Sequence, residues 1–155
     1  EEGQNTSMFR LLADTLSRIE QQDNLETAIH YYEIRLLDLL GFRPQLFECI
    51  DCGRHILAED QYFSPLVGGV VCPRCGGRRS EAWKVDQNVL RYLRHLQRSN
   101  WNQVAGVLIP PEIESGLADL IEGYFTYLLE RKLNTPHFLR EVQGKYGPDS
   151  DTEKS

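Results

Sequence analysis

Four cysteines constrain this 155-residue chain more than any other feature, because they form two C-x2-C pairs. Cys49 pairs with Cys52 and Cys72 with Cys75, and nineteen residues separate the two pairs. Four thiolates at this spacing are typical of a single tetrahedral zinc site. A catalytic zinc keeps one coordination position open for water, whereas four cysteines close the shell. The sequence therefore predicts one structural Zn²⁺ ion.

Two other uses of the cysteines are less consistent with the pattern. Disulfides are typical of secreted domains, and the chain as given has no N-terminal apolar segment with a cleavage site. A thioredoxin-like redox pair needs a single C-x-x-C at the start of a helix in a βαβ unit, and neither pair has that setting. Adjacent C-x2-C pairs favour chelation over both alternatives.

Length and composition limit the architecture. A chain of this length with 41% hydrophobic residues can bury one main core, with a small appended module. No stretch approaches the ~18 uninterrupted apolar residues of a membrane-spanning helix, so we expect none. The first residue is Glu1 rather than methionine, and we expect a fragment or a processed product.

Apolar periodicity predicts helices on both sides of the cysteines. Asn5, Thr6 or Ser7 are candidate caps for the first helix, and Gly41 is a candidate terminator of the second. A polar tail is expected at the end of the chain. The predicted helices span 7–20, 24–40, 86–98 and 112–133, with a short last helix at 137–142, a loop at 99–103 and the tail at 144–155.

The segment with the cysteines is predicted to contain short strands at Tyr62-Phe63 and Val70-Val71, joined by a turn at Gly68-Gly69. The predicted fold is mainly α, a helical bundle interrupted by a four-cysteine zinc finger. Its parts are 1–46 (first helices), 47–79 (zinc-finger insert), 80–143 (remaining helices) and 144–155 (flexible tail). The insert has few large apolar residues, so zinc is expected to supply its folding free energy. Removing the metal, or Cys72→Ser, should then melt residues 47–77 and leave the helices folded.

Charge is distributed unevenly along the chain. The whole chain carries −6, yet residues 72–98 carry a local net charge of +5, so the rest carries −11. Arginine suits phosphate because its planar group donates several hydrogen bonds, and these basic residues are candidate DNA contacts. An ordinary solvated helix face that pairs with the acidic remainder is the alternative. The candidates, called here the basic belt, are Arg74, Arg78, Arg79, Lys84, Arg91, Arg94 and Arg98.

Enzymatic signatures are lacking, and no small-molecule substrate is expected. The sequence contains no nucleophile elbow, P-loop, dinucleotide-binding glycine motif or H-E-x-x-H. The four histidines are scattered, and His55, beside the first cysteine pair, is more simply a surface residue than a phosphate contact. Trp83 and Trp101 flank the basic helix, where core packing is a simpler role than base stacking.

Ordered motifs over about residues 5–140 resemble the C-terminal region of the RecO family. The L-L-G-F-R-P run from Leu39 to Pro44 precedes the first cysteine pair and Gly53. Phe63-Ser64-Pro65 and Gly68-Gly69 then precede the second pair. RecO proteins are bacterial recombination mediators that act in DNA repair.

The resemblance implies a helical domain with an embedded zinc finger like that of Arf GTPase-activating proteins, and the four cysteines as zinc ligands. It also implies binding and annealing of single- and double-stranded DNA. RecR and the C-terminal tail of single-stranded-DNA-binding protein are the implied partners, and RecA is an indirect one. The family's N-terminal OB-fold is absent from this chain, so any DNA contact here has to come from the basic belt.

Two functions are therefore predicted. The first is a non-catalytic DNA-repair module in the bacterial cytoplasm, associated with the nucleoid and without membrane contact. The alternative is a zinc-stabilised protein-interaction domain with no DNA contact of its own.

Overall fold

The computed structural model describes residues 2–21 and 24–133, which form helices and one small antiparallel sheet. The helices are α1 (Glu2–Glu20), α2 (Leu25–Leu39), α3 (Pro73–Gly76), α4 (Gln87–Arg98), α5 (Trp101–Val104) and α6 (Pro111–Leu133). The strands are β1 (Gln61–Ser64), β2 (Gly69–Val71) and β3 (Trp83–Val85). The helix predicted at 137–142 and the tail predicted at 144–155 lie outside the described residues.

Helices α1 and α2 pack against each other in opposite directions. Near the start of α1, Gln4 Nε2 donates to the carbonyl of Leu39 at the end of α2, at 2.8 Å. Helix α1 begins at Glu2, so the prediction that Asn5, Thr6 or Ser7 caps it is wrong. The hydroxyl of Ser7 instead donates back to an i−4 carbonyl within the helix, at 2.9 Å.

Several large apolar side chains on these two helices remain in contact with solvent. Their exposed fractions run from 39% to 74%, so they do not contribute to the core. Such exposure on neighbouring elements is typical of surfaces that contact another protein or domain. This set, called here the α1–α2 apolar surface, consists of Phe9, Leu12, Leu16, Leu25, Ile29 and Leu40.

The sheet has the strand order β2-β1-β3, with both pairings antiparallel. The two predicted strands are present as β1 and β2, joined through Gly68-Gly69. Phe63 of β1 lies opposite Val70 on one side and Trp83 on the other. Strand β3 was not predicted, because a three-residue W-K-V segment is too short to show an alternating pattern.

The sheet and the helices share one hydrophobic core. Phe63 is 1% exposed, and its ring meets that of Tyr124 on α6 edge to face, with centroids 5.2 Å apart. Val70 and Val85 from the flanking strands lie in the same buried cluster as Leu93 of α4. The strands of the cysteine-bearing segment are therefore part of the main core and are not stabilised by a metal alone.

Helix α4 carries the basic face and is fixed at both ends. At its start, the carboxylate of Asp86 accepts from the backbone N–H of Asn88 at 2.7 Å and of Val89 at 3.3 Å, a normal N-cap. At its end, the guanidinium of Arg35 donates to the carbonyls of Gln97 at 2.8 Å, of Leu96 at 3.1 Å and of Ser99. A cation on the last carbonyls satisfies acceptors that the helix itself leaves open.

The segment after α4 is not the plain loop predicted at 99–103. It contains the one-turn helix α5, which a capping box between Asn100 and Gln103 begins. The side chain of each residue bonds the backbone N–H of the other, at 3.1 and 2.9 Å. The sequence shows this capping box as the motif N-x-x-Q. The prediction of a plain loop was wrong because this motif was overlooked.

Candidate metal centre and nucleic-acid interface

The four cysteines converge on one point. Their Sγ atoms all lie within 4.8 Å of one another, and Cys52 and Cys72 are 3.8 Å apart. In a zinc tetrathiolate with bonds of ~2.3 Å, tetrahedral geometry places neighbouring sulfurs about 3.8 Å apart. The Cys52–Cys72 pair has this spacing, and all four sulfurs lie close enough together for these residues to hold a metal ion.

Backbone turns at each pair aim the thiols inward. At the first pair, the N–H of Gly53 donates to the carbonyl of Cys49 at 2.8 Å, and Gly53 has φ +75°, which favours glycine. At the second pair, Cys72 immediately precedes α3, and the N–H of Cys75 donates to its carbonyl at 3.0 Å. The N–H of Cys72 also donates to Sγ of Cys49 at 3.3 Å, which joins the two pairs directly.

The thiols differ in their ease of ionisation. Burial acts to raise the pKa of Cys49, but backbone N–H groups of Cys72, Cys52 and Asp51 outweigh it and lower that pKa to about 7. Hydrogen bonding with Cys72 raises the pKa of Cys75 to about 12. Four clustered sulfurs do not all ionise without a compensating charge, and a bound cation supplies that charge.

Arg79 links the two cysteine pairs through carboxylates. Its Nε and Nη2 atoms donate to the two oxygens of Asp51, at 2.7 and 2.5 Å, and its Nη1 donates to Glu81 at 3.0 Å. Glu81 in turn accepts from the hydroxyl of Ser64 on β1, at 2.9 Å. The hydrogen bonds to Arg79 hold the pKa of Asp51 below its usual range, and the two carboxylates raise the pKa of Arg79. Sequence reasoning missed this network, although Asp51 lies between two cysteines.

Two arginines of α4 stack on Phe47, two residues before the first cysteine pair. The guanidinium carbons of Arg94 and Arg98 lie 5.6 and 4.8 Å from the centre of its ring. Arg94 also donates from Nε to the carbonyl of Leu46 at 2.7 Å, while its Nη2 is shielded and has no acceptor among the described residues. Burial, and secondly the charge of Arg98, lower the pKa of Arg94. The basic face of α4 therefore borders the metal centre.

The other members of the basic belt are exposed and lie on three elements. Arg74 is in α3, Arg78 follows it, Lys84 is in β3 and Arg91 is in α4. Among residues 2–21 and 24–133, Arg79 is the only member of the basic belt that forms an ion pair. The other six members, including the two stacked arginines, form none. The structure thus separates Arg79, which is engaged by two carboxylates, from six basic residues with no carboxylate partner.

The remaining residues considered from sequence have simpler surroundings. Trp83 packs against Phe63, with ring centres 5.7 Å apart, and Trp101 packs against Tyr31 at 5.5 Å. The side chain of His55 is 86% exposed and lies 4.0 Å from Glu48. These tryptophans contribute to packing, and His55 is a surface residue.

The fold and the sulfur cluster define a mainly helical domain with four cysteines close enough together to hold a metal ion, and sequence relatives identify its family. The family model described as "Recombination protein O C terminal" matches residues 1–137. The chain is 34% identical over 144 residues to the DNA repair protein RecO of Roseiflexus sp., covering 92% of this chain and 50% of that protein. It is 33% identical over 132 residues to the DNA repair protein RecO of Dehalococcoides mccartyi, covering 85% and 52%. This chain belongs to the RecO family of DNA repair proteins.

The chain spans about half the length of these curated relatives. No solved structure matches it. No helix in the described ranges combines the length and the apolar character that crossing a membrane requires.

Proposed function

We propose that this chain is a non-catalytic DNA-binding part of a RecO recombination mediator. The observation that carries the proposal is the set of six basic residues that have no carboxylate partner among residues 2–21 and 24–133, of which Arg94 and Arg98 stack on Phe47 beside the cysteine cluster. Basic groups that are not neutralised by a carboxylate are available to phosphate oxygens. The relatives, named DNA repair proteins, make nucleic acid the ligand class that fits this charge.

The proposed metal is one structural Zn²⁺ ion held by Cys49, Cys52, Cys72 and Cys75. The all-sulfur donor set and the 3.8 Å spacing of two of its sulfurs support zinc over harder cations, which prefer oxygen ligands. When bound, zinc supplies a charge-compensated cross-link and no reaction chemistry.

The proposed architecture is a helical bundle with a zinc-finger insert. Its proposed parts are the first helices at 1–46, the insert at 47–79, the remaining helices at 80–143 and a tail at 144–155.

The proposed partners follow from membership of the family. They are single- and double-stranded DNA, RecR, and the C-terminal tail of single-stranded-DNA-binding protein. In this role the module supports strand annealing and the loading of RecA, indirectly, onto single strands coated by their binding protein. The proposed location is the bacterial cytoplasm at the nucleoid, where these partners occur, and no small-molecule substrate is proposed.

The salt dependence of DNA binding tests the proposal. Binding of a fluorescent single-stranded oligonucleotide is measured between 50 and 300 mM salt for the wild type and for Arg91→Ala/Arg98→Ala. Each lost phosphate contact should flatten the slope of log affinity against log salt by about 0.7. Arg43→Ala is the control, because Arg43 lies outside the belt and pairs with Asp38 at 3.0 Å. Equal slopes in all three proteins would remove the proposed role of the belt.

The alternative function is a protein-interaction domain without DNA contact. The α1–α2 apolar surface favours it, since Phe9 is 74% and Leu16 is 53% exposed. If the alternative is correct, the chain does not bind the oligonucleotide, and the double variant Phe9→Ser/Leu16→Ser no longer captures purified RecR. Leu108→Ser is its control, because Leu108 is 82% exposed and lies outside α1 and α2.

A further inference from the structure

Helix α4 carries a recess beside its basic face that the cysteine pattern did not indicate. It has a volume of about 370 Å³ and is lined by Arg91, Tyr92, His95 and Arg98. Three of these four side chains carry nitrogen donors, and two present flat aromatic rings. The recess thus offers both charge and a stacking surface on one helix.

The rings and the guanidinium groups are held in place by their neighbours. Tyr92 packs partly against the main core, and the guanidinium of Arg91 lies 5.9 Å from the centre of its ring. Nδ1 of His95 is 3.2 Å from the hydroxyl of Ser99, which leaves Nε2 as the second polar atom of that ring. Arg98 is held against Phe47 at 4.8 Å. Side chains held in this way lose little freedom when a ligand binds.

The charge in and beside the recess is uncompensated. Arg91, Arg94 and Arg98 have no carboxylate partner in the part of the chain that the structure describes. One nitrogen of Arg94 is shielded from solvent and has no acceptor among the described residues. Arg94 and Arg98 on the same Phe47 ring repel each other, and a phosphate at the exposed Arg98 would relieve that repulsion.

We propose that this recess binds single-stranded nucleic acid, with one base against Tyr92 and His95 and the adjacent phosphates at Arg91 and Arg98. A base that is paired and stacked within a duplex cannot enter a recess of this kind, whereas a base of a single strand can. An acidic peptide would satisfy the arginines, but its carboxylates do not stack on the rings, whereas a base does. This inference rests on the proposed DNA-binding function and assigns it a specific site.

The test uses the zinc-loaded 155-residue chain, a fluorescent 15-nucleotide oligothymidylate and a 15-base-pair duplex, and each variant is compared with the wild type on the same ligand because the duplex has the higher charge density. Tyr92→Leu keeps an apolar side chain against the core and removes the ring, and Tyr92→Phe keeps the ring. We expect Tyr92→Leu to weaken oligothymidylate binding about tenfold and to leave duplex binding unchanged. Tyr92→Phe should bind as the wild type does, and unchanged circular dichroism confirms that both variants fold.

The outcomes separate the site from the function. If the wild type binds oligothymidylate but Tyr92→Leu binds it equally well, the recess is not the site, and the proposed function stands on the rest of the belt. If Tyr92→Leu weakens duplex and single strand alike, the preference for single strands is wrong. If an acidic apolar peptide binds the wild type and displaces the oligonucleotide, and Tyr92→Leu abolishes only the peptide's binding, the recess is a peptide site. If the wild type binds no oligonucleotide, the proposed function fails, and this inference with it.

Discussion

Arg79 holds Asp51 in a two-point ion pair that joins the first cysteine pair to the segment after the second. Nε and Nη2 of Arg79 lie 2.7 and 2.5 Å from the two carboxylate oxygens of Asp51. Asp51 lies between Cys49 and Cys52, and Arg79 follows Cys75 by four residues. The pair therefore links the two cysteine-bearing turns through contacts that do not involve the sulfurs.

Removing this ion pair should weaken metal retention. Partners outside the ligand shell typically change metal affinity by about 10–100-fold, and we expect Arg79→Ala to lie near the lower end. Competition with a chromogenic chelator measures the affinity, and Arg78→Ala is the matched control because Arg78 is exposed and forms no ion pair with any residue that the structure describes. Equal metal affinity in the two variants would contradict the role of Arg79.

Because two carboxylates engage Arg79, its loss should also affect DNA affinity less than the loss of Arg91 or Arg98.

Metal removal should unfold the cysteine turns but should not release the whole segment 47–77. Zinc thiolate binding contributes ~10–16 kcal/mol in small modules, so the turns at 48–55 and 72–79 should lose their order without it. Strand β1 is different, because Phe63 packs on Tyr124 of α6 within the main core. Hydrogen exchange with and without chelator measures the difference. Lost protection confined to the turns, reproduced by Cys72→Ser, is the expected result, and uniform loss across 47–77 would show that the insert folds separately.

The clustering of the four cysteines and the positions of the long helices could be predicted from patterns in the sequence. The cysteine spacing placed four sulfurs in one cluster, and the apolar periodicity placed a helix at 86–98, where α4 spans Gln87–Arg98. Helix α2 likewise ended before Gly41, whose φ is +85°. The helices and the two C-x2-C turns depend on residues within a few positions of one another, and four cysteines in two such turns are few enough that their convergence could be inferred across nineteen residues.

Features that depend on distant residues could not be predicted from the sequence. Asp51 and Arg79 are 28 positions apart, and nothing local indicates that they pair. The apolar spacing of Phe9, Leu12 and Leu16 predicted a helix correctly, but which face of it the core buries depends on how α2 packs. Phe47 gave no signal as a platform for arginines until α4 was placed beside it.

Gly76 should tolerate no side chain, because α3 lies directly against β1. A Cβ atom there would lie 2.2 Å from the ring of Tyr62 and 2.8 Å from its Cβ atom, so the strand itself would have to move. We expect Gly76→Ala to lower the free energy of unfolding by about 1–3 kcal/mol, as overpacking does. Gly77→Ala is the control, since nothing lies within 4 Å of a Cβ atom at that position. Chemical denaturation of the two zinc-loaded variants measures the difference, and equal stability would mean that α3 does not press on the strand.

His30 should make the helical part of the domain more stable in mild acid. Nε2 of this buried side chain lies 2.6 Å from Glu114 of α6, and Nδ1 lies 3.2 Å from Glu33. Burial acts to lower the pKa of His30, but the two carboxylates outweigh it and raise that pKa above the ordinary value of 6.5. The folded state therefore binds the proton more tightly than the unfolded state does. The stabilisation is fully present below pH 6.5 and is lost as the pH rises through the higher pKa of the folded state.

The variant His30→Gln isolates this contribution from the pH dependence of the cysteines. The unfolding free energies of wild type and variant are measured from pH 5.5 to 8.5 with zinc present. The pH dependence of the cysteines is the same in both proteins, so it cancels when one free energy is subtracted from the other. That difference should shrink with rising pH, at no more than about 1.4 kcal/mol per pH unit for one proton. His55→Gln provides the control, because it makes the same substitution at a histidine whose side chain is 86% exposed. A difference for His30→Gln that grows with pH would show that the imidazole is neutral in the folded protein, with burial dominating over both carboxylates.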